Sequence, residues 1–173
     1  IAALGARLVP ADQKKASSAL LARLTKSGAK SEDERIALAE AVGTLRRPEA
    51  VRPLLDPIRL DMAIGEVQAR LMSVGKIPSK DAIERLIGFL DKGRRGSQSQ
   101  RSHAMKALRY ATAQKLHRNP DSWRAWWRKA KKTFSFEAVR RMRDEEEAAR
   151  QAKEDKKAER KRRKREKREK TGK

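Results

Sequence analysis

The sequence predicts an all-α fold, a short α-solenoid in which antiparallel helix pairs stack on one another, and three observations carry that expectation. Ala41-Val42-Gly43-Thr44-Leu45, running on through Pro48-Glu49-Ala50-Val51 to Leu54, Leu55 and Ile58, overlays Ser73-Val74-Gly75-Lys76-Ile77 through Ala82 and Ile83 to Leu86, Ile87 and Leu90. The offset is 32 residues without a gap. A period of roughly 20–50 residues marks units that bury their apolar faces only by stacking. Val51, Leu54, Leu55 and Ile58 stand at i, i+3, i+4 and i+7, as do Ile83, Leu86, Ile87 and Leu90, which is helical spacing. No segment alternates strictly between turn signals, as a half-buried strand would.

Helices are expected near 1–8, 12–27, 32–46, 48–59, 62–75, 80–91, 98–115, 120–131 and 137–170. Ser31 followed by Glu34 has capping-box spacing. Pro48 suits a first helical turn, where its missing N–H has no intrahelical acceptor to lose. Asn119-Pro120 repeats that device with Asn as N-cap. Gly28, Gly75 and Gly93 are expected to end helices in the left-handed conformation. Ile64, Val67, Leu71 and Val74 give the fifth helix its stripe. Three sections follow: repeats over 1–118, a Trp-rich capping helix and loop over 119–136, and an extended basic helix over 137–173.

Of the 173 residues 39% are charged and 4% aromatic, and the formal charge is +22. Such an excess attracts polyanions, whether nucleic acid, an anionic membrane surface or an acidic protein. Without cysteine there are neither disulfides nor thiolate metal sites. His103 and His117 lack ligand-spaced partners and are expected at the surface, so neither a metal nor a cofactor is anticipated. No apolar run approaches the roughly 18 residues of a membrane span. The chain begins with Ile1 inside a helical pattern, and Ala3-Leu4-Gly5 looks like Val42-Gly43 at the end of an earlier second helix. An N-terminal portion is therefore expected to precede it.

The junction Ala-Val-Gly-x-Leu-x-x-Pro-Glu-Ala-Val-x-Pro-Leu-Leu, read at 41–55, resembles HEAT repeats over about residues 1–115, with pairs at 12–46, 48–75 and 80–115. The third pair departs from the pattern: Arg109 stands where Gly43 and Gly75 stand, and Gly93-Arg94-Arg95-Gly96-Ser97 lengthens its loop. The resemblance implies a right-handed superhelical scaffold that binds a partner along one surface, and no chemistry. Asn119-Pro120-Asp121-Ser122-Trp123-Arg124-Ala125-Trp126-Trp127 is similar to an ending of some bacterial HEAT-repeat proteins, many of them exported. That likeness leans the localisation towards the periplasm or cell envelope.

Trp123, Trp126 and Trp127 stand at i, i+3 and i+4. They suit an aromatic platform for a ligand, and suit better a cap over the open end of stacked helices, which such folds need. Phe134 and Phe136 are expected in the same cap. Arg94 and Arg95, in the loop from Lys92 to Arg101, are candidate contacts for a phosphate or an acidic side chain. Lys106 and Arg109 would extend that patch. From Arg140 onward Lys and Arg outnumber Asp and Glu about two to one, and Lys161, Arg162, Arg163, Lys164 and Arg165 are consecutive. Glu146 and Glu147 precede Arg150 by four and three residues, spacing that supports a solvated helix by a few tenths of a kcal/mol per pair. Beyond Met142 there is no apolar stripe, so neither a coiled coil nor insertion into a membrane is expected.

No nucleophile elbow, phosphate-binding loop or carboxylate pair is present. The one enzymatic alternative would resemble alkylpurine DNA glycosylases built from HEAT-like helices, and no carboxylate is singled out for their catalytic role. The expected function is a non-enzymatic adaptor binding a protein partner with an acidic surface inside a larger assembly. The alternative is a nucleic-acid-binding protein that sets the same cations against phosphates, with salt-sensitive binding.

Overall fold

A computed structural model describes residues 10–25, 31–92, 97–117 and 119–171. Among them there is no strand. The helices are α1 (Pro10–Thr25), α2 (Glu32–Leu45), α3 (Val51–Leu55), α4 (Ile64–Lys76), α5 (Lys80–Lys92), α6 (Gln98–Thr112), α7 (Pro120–Ala130) and α8 (Phe136–Thr171). The chain divides into two units, one ending at Phe134 and the other starting at Ser135. The Trp-bearing helix therefore belongs with the helices that precede it. The helix expected near 1–8, Gly28 and Gly93 lie outside the described residues.

In the first unit α1 packs on α2, α2 on α4, α3 on α4, α4 on α6, and α5 on both α6 and α7. Val42, Val51, Leu54, Val67, Leu71, Val74, Ile83, Leu86 and Leu108 are fully buried between them. Ser31 caps α2 by accepting from the Glu34 amide at 3.2 Å, while the Glu34 carboxylate takes Arg23 Nε of α1 at 2.8 Å. Asn119 Oδ1 caps α7 through the Asp121 amide at 2.9 Å. Both caps stand where the sequence puts them.

Two expectations need correction. The helix foreseen at 48–59 is a 3-10 turn, Pro48–Ala50, followed by the five-residue α3. Pro57 has no N–H to offer the carbonyl of Pro53, so the ladder cannot continue. The Ile58 amide bonds Leu55 at 3.1 Å instead, in a tighter turn. The freed carbonyls of Pro53 and Leu54 face Arg70 Nη1 at 3.4 and 3.5 Å.

Gly75 does not end its helix. It lies inside α4, and a Cβ there would meet the Ala107 carbonyl oxygen at 2.8 Å. Gly43 is likewise pressed on Ser73, with 2.6 Å between a built Cβ and the Ser73 Cβ. These glycines let one helix backbone approach the next. Left-handed ends fall to Arg46 (φ 53°) and Ala113 (φ 57°) instead.

Direction follows from the pairs. Arg35 meets Glu66 near the starts of α2 and α4, and Gly43 meets Ser73 near their ends, so these helices run parallel. Between α5 and α7 the order inverts. Asp91, late in α5, pairs with Arg124, early in α7, while Glu84 accepts from Trp127 and Lys80 donates to the Lys131 carbonyl. α7 therefore runs against α5. The non-helical segment 113–117 carries the chain back along α6, tied by Arg109 Nη2 to the Leu116 carbonyl at 3.1 Å.

In the second unit, Ser135 Oγ caps α8 at the Ala138 amide. α8 has 36 residues, about 54 Å of helix. Every residue from Asp144 to Lys161 is exposed.

Candidate partner-binding surface

The Trp helix is amphipathic by construction. Trp123 and Trp127 lie on its inner side, 0% and 5% exposed, while Trp126 is half-buried. Trp123 Nε1 donates to Met105 Sδ at 3.2 Å, and Trp127 Nε1 to Glu84 Oε1 at 3.1 Å. Buried indoles need such partners. Phe134 closes edge-on over Trp126 and Trp127, with centroids 6.0 and 5.3 Å apart. With two of the three rings buried and hydrogen-bonded, the set is packed as a core and not offered as a platform.

Cations occupy the outer side of α7. Arg124, Arg128 and Lys131 follow one another at i, i+4 and i+7, and all three are exposed. Across from them α5 sets Glu84, Ile87 and Gly88. A groove of about 590 Å³ lies between the two rows. Glu84 holds Lys131 as well as Trp127. Their hydrogen bonds, Lys131 first, hold its carboxyl below the ordinary carboxylate range. Arg124 is engaged by both Asp91 and Asp121. Arg128 makes no ion pair among the described residues. A second cleft, of about 530 Å³, opens where Arg101 and Ser102 of α6 face Asn119 and Asp121 of α7.

Deeper in the first unit, Glu66 is 3% exposed and clamped by two arginines, Arg35 Nε at 2.7 Å and Arg70 Nε at 2.9 Å. Burial is the largest single influence and pushes its carboxyl up. The hydrogen bonds and charges of the two arginines together outweigh it, and the carboxyl stays below its usual range. Arg35 is correspondingly raised, first by its hydrogen bond to Glu66. With Arg70 satisfying the carbonyls of α3, this cluster joins three helices.

The residues singled out by sequence are dispersed. Lys106 and Arg109 are exposed one turn apart on α6, and Arg109 is already bonded to the connector. Arg94 and Arg95 lie outside the described residues. Lys161, Arg162, Arg163, Lys164 and Arg165 fall on α8, in the other unit, with Lys161 exposed. His117 is exposed as expected, but His103 is half-buried and its Nδ1 has no partner. Burial, aided by Lys106, lowers its pKa. Among the described residues no group of His, Cys, Asp or Glu could hold a metal, and no helix is long and apolar enough to cross a membrane.

Sequence reasoning missed the α5–α7 groove. The cation spacing on α7 was there to be read. What it faces depends on the reversal of α7, which no local pattern encodes.

Searches with this chain found no matching family model, and no match among curated proteins or solved structures.

Proposed function

We propose that this chain is a non-enzymatic scaffold: a short right-handed α-solenoid of the HEAT type, closed by its Trp-bearing helix and anchored in a larger assembly through basic α8. The observation that carries the reading is the recurrence of one contact. Gly43 against Ser73 and Gly75 against Ala107 join consecutive second helices through the same small-residue seam, about one repeat apart. Repeats joined in this way offer extended surfaces for binding. The reversal of α7 supports its role as a cap, because a continuing repeat would send its first helix parallel to α5. The cations of α8 supply the anchor, and their partner is a protein with an acidic surface.

The same cations favour a second reading, in which α8 lies on the phosphates of a nucleic acid. Titrating a labelled duplex and a labelled single strand with the protein, with and without residues 140–173, separates the two. A scaffold for acidic proteins gives only the binding at low salt that any polycation gives. Micromolar or tighter binding that persists at physiological salt replaces it with the nucleic-acid reading. Capture of an acidic protein from the native source, lost without residues 140–173, would support the scaffold.

A further inference from the structure

We infer that the groove between α5 and α7 is a docking site for an acidic protein segment with an apolar anchor side chain; this rests on the scaffold reading and gives it a second contact besides α8. The groove's open point is Gly88: a Cβ built there meets nothing within 4 Å, so the α5 backbone is bare, with the edges of the largely buried Ile87 and Trp127 (4% and 5% exposed) beside it. A glycine at an exposed mid-helix position weakens the helix by about 1 kcal/mol relative to alanine. Here it leaves space one side chain wide.

Charge selects the occupant. Arg124, Arg128 and Lys131 form one wall at single-turn intervals. Two of the three are paired within the protein, Lys131 with Glu84 and Arg124 with both Asp91 and Asp121. Arg128 is the cation of this wall without an ion-pair partner among the described residues. A carboxylate is therefore attracted to Arg128, and an aliphatic side chain beside it fits over Gly88. A nucleic-acid strand fits less well, because its regularly spaced phosphates would run over Glu84 and Asp121.

The test uses the full chain at physiological salt and a fluorescein-labelled peptide with one leucine flanked on both sides by glutamates. Gly88→Leu sets a side chain into the groove from a Cβ that meets nothing and, having better helix propensity, leaves the protein folded. Arg128→Glu reverses the unpaired cation. Each substitution is expected to weaken peptide binding about tenfold or more. Replacing the peptide's leucine by serine should weaken it comparably, with circular dichroism and melting temperature of the protein retained. Unchanged binding by folded Gly88→Leu overturns the inference. If binding is instead lost when Lys161 to Arg165 are replaced by glutamine, α8 is the acceptor and the scaffold reading survives alone. If the peptide does not bind and an oligonucleotide does, both readings fall.

Discussion

Gly75 touches the backbone of Ala107: a methyl group in place of its hydrogen would stand 2.8 Å from the Ala107 carbonyl oxygen and 3.1 Å from its Cα. Nothing at that contact is a flexible side-chain tip that could move aside. Gly75→Ala should destabilise the protein by about 1–3 kcal/mol through overpacking, despite the helix-propensity gain of about 1 kcal/mol. Gly88→Ala, on an open helix surface, should raise the melting temperature. Thermal unfolding of the two variants side by side checks the sign.

At Gly43 a built Cβ would stand 2.6 Å from both Cβ and Oγ of Ser73 and 2.8 Å from its Cα, so the side-chain part of the contact can be relieved. Gly43→Ala alone should destabilise, and Ser73→Gly should recover part of the loss. A double-mutant cycle is expected to return a coupling of about 0.5–3 kcal/mol, as for residues in direct contact. Additive effects would mean that the two positions do not touch.

Glu66 should make stability pH-dependent. Its folded pKa is lowered, so the unfolded chain takes up the proton first as pH falls. The stabilisation is complete above the ordinary carboxylate range and is lost as pH drops through the folded pKa. Glu66→Gln leaves Arg70 buried without its counter-charge and should cost about 3–5 kcal/mol at neutral pH. The gap between wild type and variant, followed by denaturant titration, should narrow as pH is lowered from 7 towards 3.

The three tryptophans should differ in weight. Trp123 is fully buried against Met105, so Trp123→Ala should cost about 3–5 kcal/mol. Trp126→Ala should cost clearly less, because that ring is half-buried and its N–H is not among the buried orphans. Equal losses would contradict the packing of α7.

Ala113 ends α6 at φ 57°, a conformation that costs a non-glycine residue about 1–2 kcal/mol. Its amide already bonds the Arg109 carbonyl at 2.8 Å, so the turn is in place. Ala113→Gly should stabilise by about 0.5–1 kcal/mol in chemical unfolding.

Much of the helical order was legible because it is local. The stripe Ile83, Leu86, Ile87 and Leu90 is buried as its spacing demands, and Ser31 and Asn119 cap the helices they precede. Ile64 was misjudged: it continues the stripe of α4 by spacing, yet is 46% exposed at the helix start. Pro57 cut α3 short, a signal present in the sequence and readable once the acceptor of each amide is followed.

The sequence by itself determined that this chain is helical, where most helices begin and which faces are apolar, since these depend on side chains within a turn or two of each other. It determined the charge of α8 as well, because charge requires no partner. Tertiary structure alone decided that Gly75 is a seam and not a stop, that Glu66 is held by arginines from two helices, and that α7 runs back along α5 to leave a groove over Gly88. Each of those depends on which backbone lies opposite, and that is set by packing between residues far apart in the chain.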